Sequence, residues 1–220
     1  GDWTLGGFNL EGEFVYQMGG VKSLVPVAPD VFEPREFDRK AFGCFAAAQY
    51  TFPVKWSPYA KFHFIYWPGD DLQDDGDIEE YDPMFLGWWG WDRWFIGEQI
   101  AEVWGLKTNT RKFIAEVGFY PVEPCQIQLI YIKHQLDEKY FPAGALRGTQ
   151  SSDFAVTSTN FADEFNLFMN WQVNDFLFVH SGVGFAIPGD AATQAYEEIH
   201  GIAGADKTAA FGQLWLMFAF

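Results

Sequence analysis

No run of apolar residues in this chain approaches the roughly 18 to 20 that a membrane-spanning helix needs, so a helical membrane protein is excluded. Basic residues are scarce as well: 14 Lys and Arg face 30 Asp and Glu, for a net charge of -16. A phosphate-binding face needs clustered Lys and Arg, so nucleic acid is not an expected partner, and acidic loops turned toward solvent account for the imbalance. Cys44 and Cys125 are the only cysteines. They fall near opposite ends of their strands in the topology below, beyond the short Cα reach of a disulfide. The four histidines, His63, His134, His180 and His200, are too dispersed for a metal cluster. A lipid-cleaving enzyme would need a histidine beside a serine or an acid, and Ser181, next to His180, points to the opposite face of its strand. No Ser-His-acid set can be named, and catalysis is not expected. A leader peptide is also missing: the chain opens at Gly1 with a strand-like segment, which reads as a mature or truncated start.

What the chain has in excess is aromatic residues, 20% of the total, with 24 Phe, 10 Trp and 9 Tyr. Mean hydropathy is nevertheless -0.10, the value of a soluble protein. A soluble core rarely needs so many rings. A strand wall in lipid uses them twice, as an apolar outer face and as girdles at both interfaces. In lipid every backbone N–H and C=O must be paired within the protein, and a closed sheet is the way strands achieve that.

The alternation of long and short connections points the same way. Strands are expected at about 3 to 18, 41 to 52, 58 to 67, 107 to 119, 125 to 136, 161 to 172, 176 to 186 and 210 to 220. The joints at Pro53 to Ser57, Tyr120 to Pro124 and Val173 to Asp175 are short. The connections at 19 to 40, 68 to 106, 137 to 160 and 187 to 209 are long. Short periplasmic turns and long extracellular loops are the habit of outer-membrane barrels, and a soluble sandwich has no reason to keep it. The fold expected is therefore all-β: a transmembrane antiparallel up-and-down β-barrel, one domain over 1–220, with about eight strands and both chain ends periplasmic.

Within strands the period is two. Phe8, Leu10, Phe14, Tyr16 and Met18 share one face of the first strand, while Asn9, Glu11, Glu13 and Gln17 share the other. The sixth strand repeats this, with Phe161, Phe165, Leu167, Met169 and Trp171 opposite Glu164, Asn166, Asn170 and Gln172. Trp3, Phe52, Trp56, Tyr59, Phe119, Tyr120, Trp171 and Phe176 are expected in the periplasmic girdle. Tyr16, Phe42, Tyr66 and Trp67 are expected in the outer one.

The ending Gly212-Gln-Leu-Trp-Leu-Met-Phe-Ala-Phe220 resembles the C-terminal strand of bacterial outer-membrane proteins. That likeness implies Phe218 and Phe220 as an assembly signal read by the barrel-assembly machinery, and Gram-negative outer-membrane lipid as the surroundings. A narrower resemblance is to the alginate-export family of porins. It is carried by Leu5-Gly-Gly-Phe8 with Glu11, Glu13 and Gln17, by Tyr81-Asp-Pro-Met-Phe85 with Gly90 and Asp92, and by Gly182-Val-Gly-Phe-Ala-Ile-Pro-Gly189. Members have longer chains and more strands, so the likeness implies that these residues form the C-terminal portion of a larger barrel. The alginate exporter's pore is lined with many bases, of which this chain offers few.

The polar strand faces supply a candidate pore lining: Glu11, Glu13, Lys61, His63, Lys112, Glu116, Gln126, Gln128, His134, Glu164, Asn166 and Asn170. It reads either as a wet channel wall or as a satisfied network plugging a narrow barrel, since eight strands closing on themselves leave room only for side chains. Asp71, Asp75, Asp77, Glu79 and Asp82 fall at the ligand spacing of a calcium loop, with Gly76 at the sharp turn. But Gln73 replaces an acid and the final Glu is missing, so a solvated acidic loop is the competing reading. Trp88, Trp89, Trp91, Trp94 and Trp104, with Asp92, Arg93, Glu98 and Glu102 among them, suit either sugar stacking or a packed lid at the barrel mouth. The expected function is passage of a small or oligomeric hydrophilic solute, alginate-export-like. The alternative is a structural barrel that houses a periplasmic or surface partner protein.

Overall fold

The computed structural model describes residues 1–28, 31–70, 77–81, 108–141, 154–201 and 206–219. The strands are β1 (Asp2–Leu5), β2 (Phe8–Ala28), β3 (Val31–Thr51), β4 (Tyr59–Trp67), β5 (Asp77–Ile78), β6 (Thr110–Val122), β7 (Cys125–Leu136), β8 (Tyr140–Phe141), β9 (Phe154–Ala155), β10 (Asn160–Asn174), β11 (Leu177–Pro188) and β12 (Ala209–Phe218), with one helix, α1 (Asp190–His200). The main sheet runs β1-β2-β3-β4-β6-β7-β10-β11-β12, and each neighbouring pair is antiparallel. Strand β5 adds a short parallel pairing to β3 at Asp38 and Arg39, and β8 with β9 forms a separate ribbon.

This is the expected all-β, up-and-down arrangement, but it is open. Strands β1 and β12 lie at opposite edges and do not pair, so the described strands form part of a barrel wall rather than a barrel closed on itself. Residues 6–7, 52–58, 123–124 and 175–176 make short turns at one end; at the other, 68–109, 137–159 and 189–208 are long as read from the sequence, but β2 and β3 are joined by residues 29–30 alone.

Three features depart from the sequence reading. The first strand is not continuous: Gly6, at φ 59, turns the chain, and β1 folds back to pair Asp2 with Glu11 and Leu5 with Phe8. The segment 19 to 40, expected as a loop, continues the ladder instead, and the β2–β3 register runs unbroken from Phe8↔Tyr50 past Met18↔Lys40 to Pro26↔Phe32. The connection after β11 holds α1, which starts after Gly189 and ends at Gly201 in a left-handed cap at φ 63.

One face of the sheet carries the rings. Phe14, Phe62, Leu129, Leu167, Phe185 and Leu214 are all exposed on it. Rings of neighbouring strands touch in rows: Phe14 to Phe42 at 5.7 Å, Phe42 to Tyr66 at 5.3 Å, Phe64 to Phe113 at 5.2 Å and Tyr131 to Phe165 at 5.0 Å. The apolar band on β6 runs from Phe119 up to Phe113 and stops at Arg111. From Phe119 to the Arg111 that bounds it is roughly 26 Å of strand, or about 20 Å of height at the usual barrel tilt, comparable with the ~25 Å apolar band of outer-membrane barrels. Its upper limit is a polar row on the same face. There Arg111 lies 3.3 Å from Asp137, and Lys133 and Tyr131 both donate to Asp163, at 2.8 and 2.6 Å.

The opposite face is concave. Strands two apart lie roughly 9.6 Å from each other, yet Lys61 on β4 reaches Glu11 on β2 at 2.9 Å, and Gln128 on β7 donates to the Tyr59 hydroxyl on β4 at 3.1 Å. Each pair passes over a small residue on the strand between, Ala47 or Gly118. Tyr59 and Trp67, expected in the girdles, are therefore corrected to this face. Tyr59 stands directly opposite Gly118, and Trp67 lies over the Lys112 ammonium with Tyr81 stacked at 6.3 Å.

Candidate functional site

The concave face is built in tiers, each crossing several strands. The tier nearest the short turns is a chain of hydrogen bonds. The Tyr59 hydroxyl donates to Glu116 at 2.5 Å, and the Gln128 amide donates to the same carboxylate at 2.7 Å. Asn170 donates to Gln128 at 3.0 Å, the Asn170 oxygen meets His180 Nδ1 at 2.6 Å, and His180 Nε2 meets Gln213 at 2.7 Å. One polar belt thus crosses β4, β6, β7, β10, β11 and β12. Gln126 joins it through Tyr59 at 3.0 Å, and His63 Nε2 lies 3.6 Å from Glu116.

Above the belt is an apolar tier that sequence reasoning missed. Ile65, Ile114, Ile130, Ile132 and Phe168 form one buried cluster, with Phe45 and Trp67 packed against it. The upper polar tier follows: Lys112 beside Trp67, His134 at 2.9 Å from Glu164, and Asn166 donating to Glu164 at 2.7 Å. At the top, α1 lays Ala191, Ala192 and Ala195 on Leu136, Val156, Phe161 and Ala162. Gln194 fixes the helix from outside that cluster by accepting from the Thr157 backbone at 2.8 Å. Phe161, expected on the lipid side, therefore packs in the mouth.

Phe168 shows why the sequence needs glycine at two points. It stacks on His180 at 5.6 Å, and a Cβ on Gly182 would fall 2.1 Å from its ring. A Cβ on Gly118 would likewise sit 2.5 Å from the Tyr59 hydroxyl. Side-chain volume on β10 and β4 is thus accommodated by its absence on β11 and β6.

All twelve candidate lining residues lie on the concave face, but they differ in access to solvent. Glu116, Gln128, Glu164 and Asn166 are buried to between 1% and 5% exposure, as are His63 and Lys112. Glu13 is exposed, and Glu11 keeps 30% of its side chain in solvent. Parity within each strand sorted these residues, whereas the isoleucines share that parity and were hidden by their own hydrophobicity.

Of the calcium candidates, Asp71, Asp75 and Asp82 lie outside the described residues. Asp77 accepts twice from Lys40, at 2.8 and 2.9 Å. Among the described residues no group of three or more potential metal ligands occurs. The tryptophan-rich segment 87 to 105 and Phe220 also fall outside the described residues, while Phe218 is exposed at the short-turn end, opposite Leu177. Both cysteines are free. Ser181 faces the ring-rich side while His180 belongs to the belt.

An antiparallel wall with rings on one face and a hydrogen-bonded polar face behind it is a segment of a membrane β-barrel. The family model for alginate export matches residues 1–206, everything but the last connection's end and β12, and the chain belongs to that family. Membership implies an outer-membrane export channel, a transport porin rather than an enzyme. No curated protein matches the chain.

Proposed function

We propose that this chain forms part of the wall of an outer-membrane channel that passes a small or oligomeric hydrophilic solute. The observation that carries the reading is the two-faced wall: exposed rings on one side, and on the other, at the same height, a polar belt from Tyr59 to Gln213. Lipid accounts for the first face and a hydrophilic path for the second. In this reading Glu11, Glu13, Lys61, His63, Lys112, Glu116, Gln126, Gln128, His134, Glu164, Asn166 and Asn170 line the passage. The short turns face the periplasm, the long connections face outward, and Phe218 with Phe220 serves the barrel-assembly machinery. Planar-bilayer recording of the full natural chain tests it: discrete, voltage-stable conductance steps are expected.

A second reading is a sealed barrel that houses a partner protein at the outer membrane. It is favoured by the burial of Glu116, Gln128, Glu164 and Asn166, whose mutual hydrogen bonds are those of a packed interior. A barrel of that kind passes no current, so the same recording separates the two.

A further inference from the structure

We infer that the concave wall carries, near its short-turn end, a stacking subsite for an uncharged sugar centred on Trp215; this rests on the channel reading above. Two rungs of the ladder define it. Across β10, β11 and β12 the register aligns Asn170, His180 and Trp215, and one rung nearer the short turns it aligns Gln172, Phe178 and Met217. All six share the face of the polar belt, since Trp215 stands opposite His180 while Leu214 and Leu216 take the ring-rich side. Rings elsewhere on the concave face fill the wall: Tyr59 is 5% and Phe168 1% exposed. Trp215 is placed differently. Its indole tilts against the His180 ring at 5.8 Å and still keeps 42% exposure among the described residues, with Met217 one rung below at 51%. Apolar surface on the water side of a channel wall marks a place where a solute is held.

Amides beside these rings supply the other half of a sugar site. Gln172 is exposed, and an amide both donates and accepts, as the rim of a sugar requires. A pyranose presents C–H groups on its face and hydroxyls around its edge, so the face lies on the electron-rich indole while the edge meets amides. Two strand spacings by two residues make the patch roughly 10 Å by 7 Å, the footprint of a short saccharide and far below that of a protein partner. The absence of charge narrows the class. Strands β11 and β12, and β10 from Phe168 to Asn174, contain no Asp, Glu, Lys or Arg. Both ring nitrogens of His180 are taken up by Asn170 and Gln213. A carboxylate or sulfate would find no cation among these side chains and an amine no anion, so the ligand that fits is an uncharged hexose unit. Stacking without an ion pair is weak, as passage requires, because a tightly held solute would not leave.

The test is block of the ion current through the full natural chain in planar bilayers by a β-1,4-linked glucose hexamer. A hexuronate of equal length and polyethylene glycol of equal mass serve as the comparison probes. The glucose hexamer is expected to block saturably and at lower concentration than either. Trp215→Ala should raise its half-blocking concentration by roughly three- to tenfold, and Trp215→Phe, which keeps a ring, should raise it less. Equal or stronger block by the uronate or the polyethylene glycol, or a glucose block that Trp215→Ala leaves unchanged, would overturn the subsite while leaving the channel standing. The comparison of probes uses the natural chain, so it decides even if Trp215→Ala fails to insert. Absence of any conductance from the natural chain would overturn the channel reading and the subsite with it.

Discussion

Replacing Gly182 by alanine adds one methyl group at a place where none fits. The new Cβ would lie 2.1 Å from Phe168 Cε1 and 2.3 Å from Cδ1, far inside van der Waals contact. Phe168 cannot yield easily, because it is 1% exposed, packed among Ile65, Ile114, Ile130 and Ile132, and stacked on His180. Overpacking of this kind costs about 1–3 kcal/mol. In a Phe168→Ala background the ring is gone, and the same substitution should cost close to nothing or gain up to ~1 kcal/mol from the intrinsic weakness of glycine in a strand. The coupling between the two changes should therefore exceed about 1 kcal/mol, measured as a double-mutant cycle. The assay is denaturant unfolding of the full natural chain in detergent micelles, followed by tryptophan fluorescence. If Gly182→Ala is equally harmful with and without the Phe168 ring, the packing described for β10 against β11 is wrong.

Three further outcomes follow from the same architecture. Tyr59→Phe removes the hydroxyl shared by Glu116, Gln126 and Gln128, and the loss of that donor to a buried carboxylate that keeps the Gln128 amide should lower stability by about 1–3 kcal/mol in the same unfolding assay. Leu167→Arg places a charge within the ring-rich band and should cost about 2–4 kcal/mol, whereas Gln172→Arg, beyond that band, should change stability by less than about 1 kcal/mol. Phe218→Ala should slow assembly, read as a reduced fraction of the compact, heat-modifiable form on cold gels, with little change in the stability of protein that has already folded.

Much of the wall was legible because lipid imposes a strict period on the residues that touch it. Phe165, Leu167, Met169 and Trp171 alternate with Glu164, Asn166 and Asn170, and the ladder of β10 with β7 and β11 places that alternation on two faces. Legibility ended where lipid ended. Beyond Met18 and Lys40 no apolar parity remains, so the paired extension of β2 and β3 read as a loop, with Gly19, Gly20, Pro26 and Pro34 reinforcing the impression. Gly6 failed differently: the two-residue turn shifts the phase by one, putting Trp3 and Leu5 on the face of Phe8 and Leu10, and that break in the alternation at Gly6 and Gly7 was the available signal.

The concave face was half legible. Its polar members were recognisable one strand at a time, but the belt is a property of register, which places Glu116 near Gln128 and Asn170 opposite His180. Tyr59 and Trp67 were assigned to girdles because an aromatic ring near a strand end suits lipid and a packed interior equally well. Their parity with Lys61, His63 and Ile65 was the available signal. Ile114, Ile130 and Ile132 illustrate a related limit, since hydrophobicity alone cannot tell a lipid-facing residue from one buried behind the wall.

The central claim is that lipid meets the ring-bearing face and not the polar one, and strand β10 offers the most direct measurement. With Cys44 and Cys125 replaced, single cysteines from Glu164 to Trp171 carry a spin label, in the full natural chain reconstituted into bilayers. Collision with oxygen dissolved in lipid should rise at Phe165, Leu167, Met169 and Trp171 and fall at Glu164, Asn166, Phe168 and Asn170. Uniform accessibility along the strand, or the opposite phase, would contradict the account.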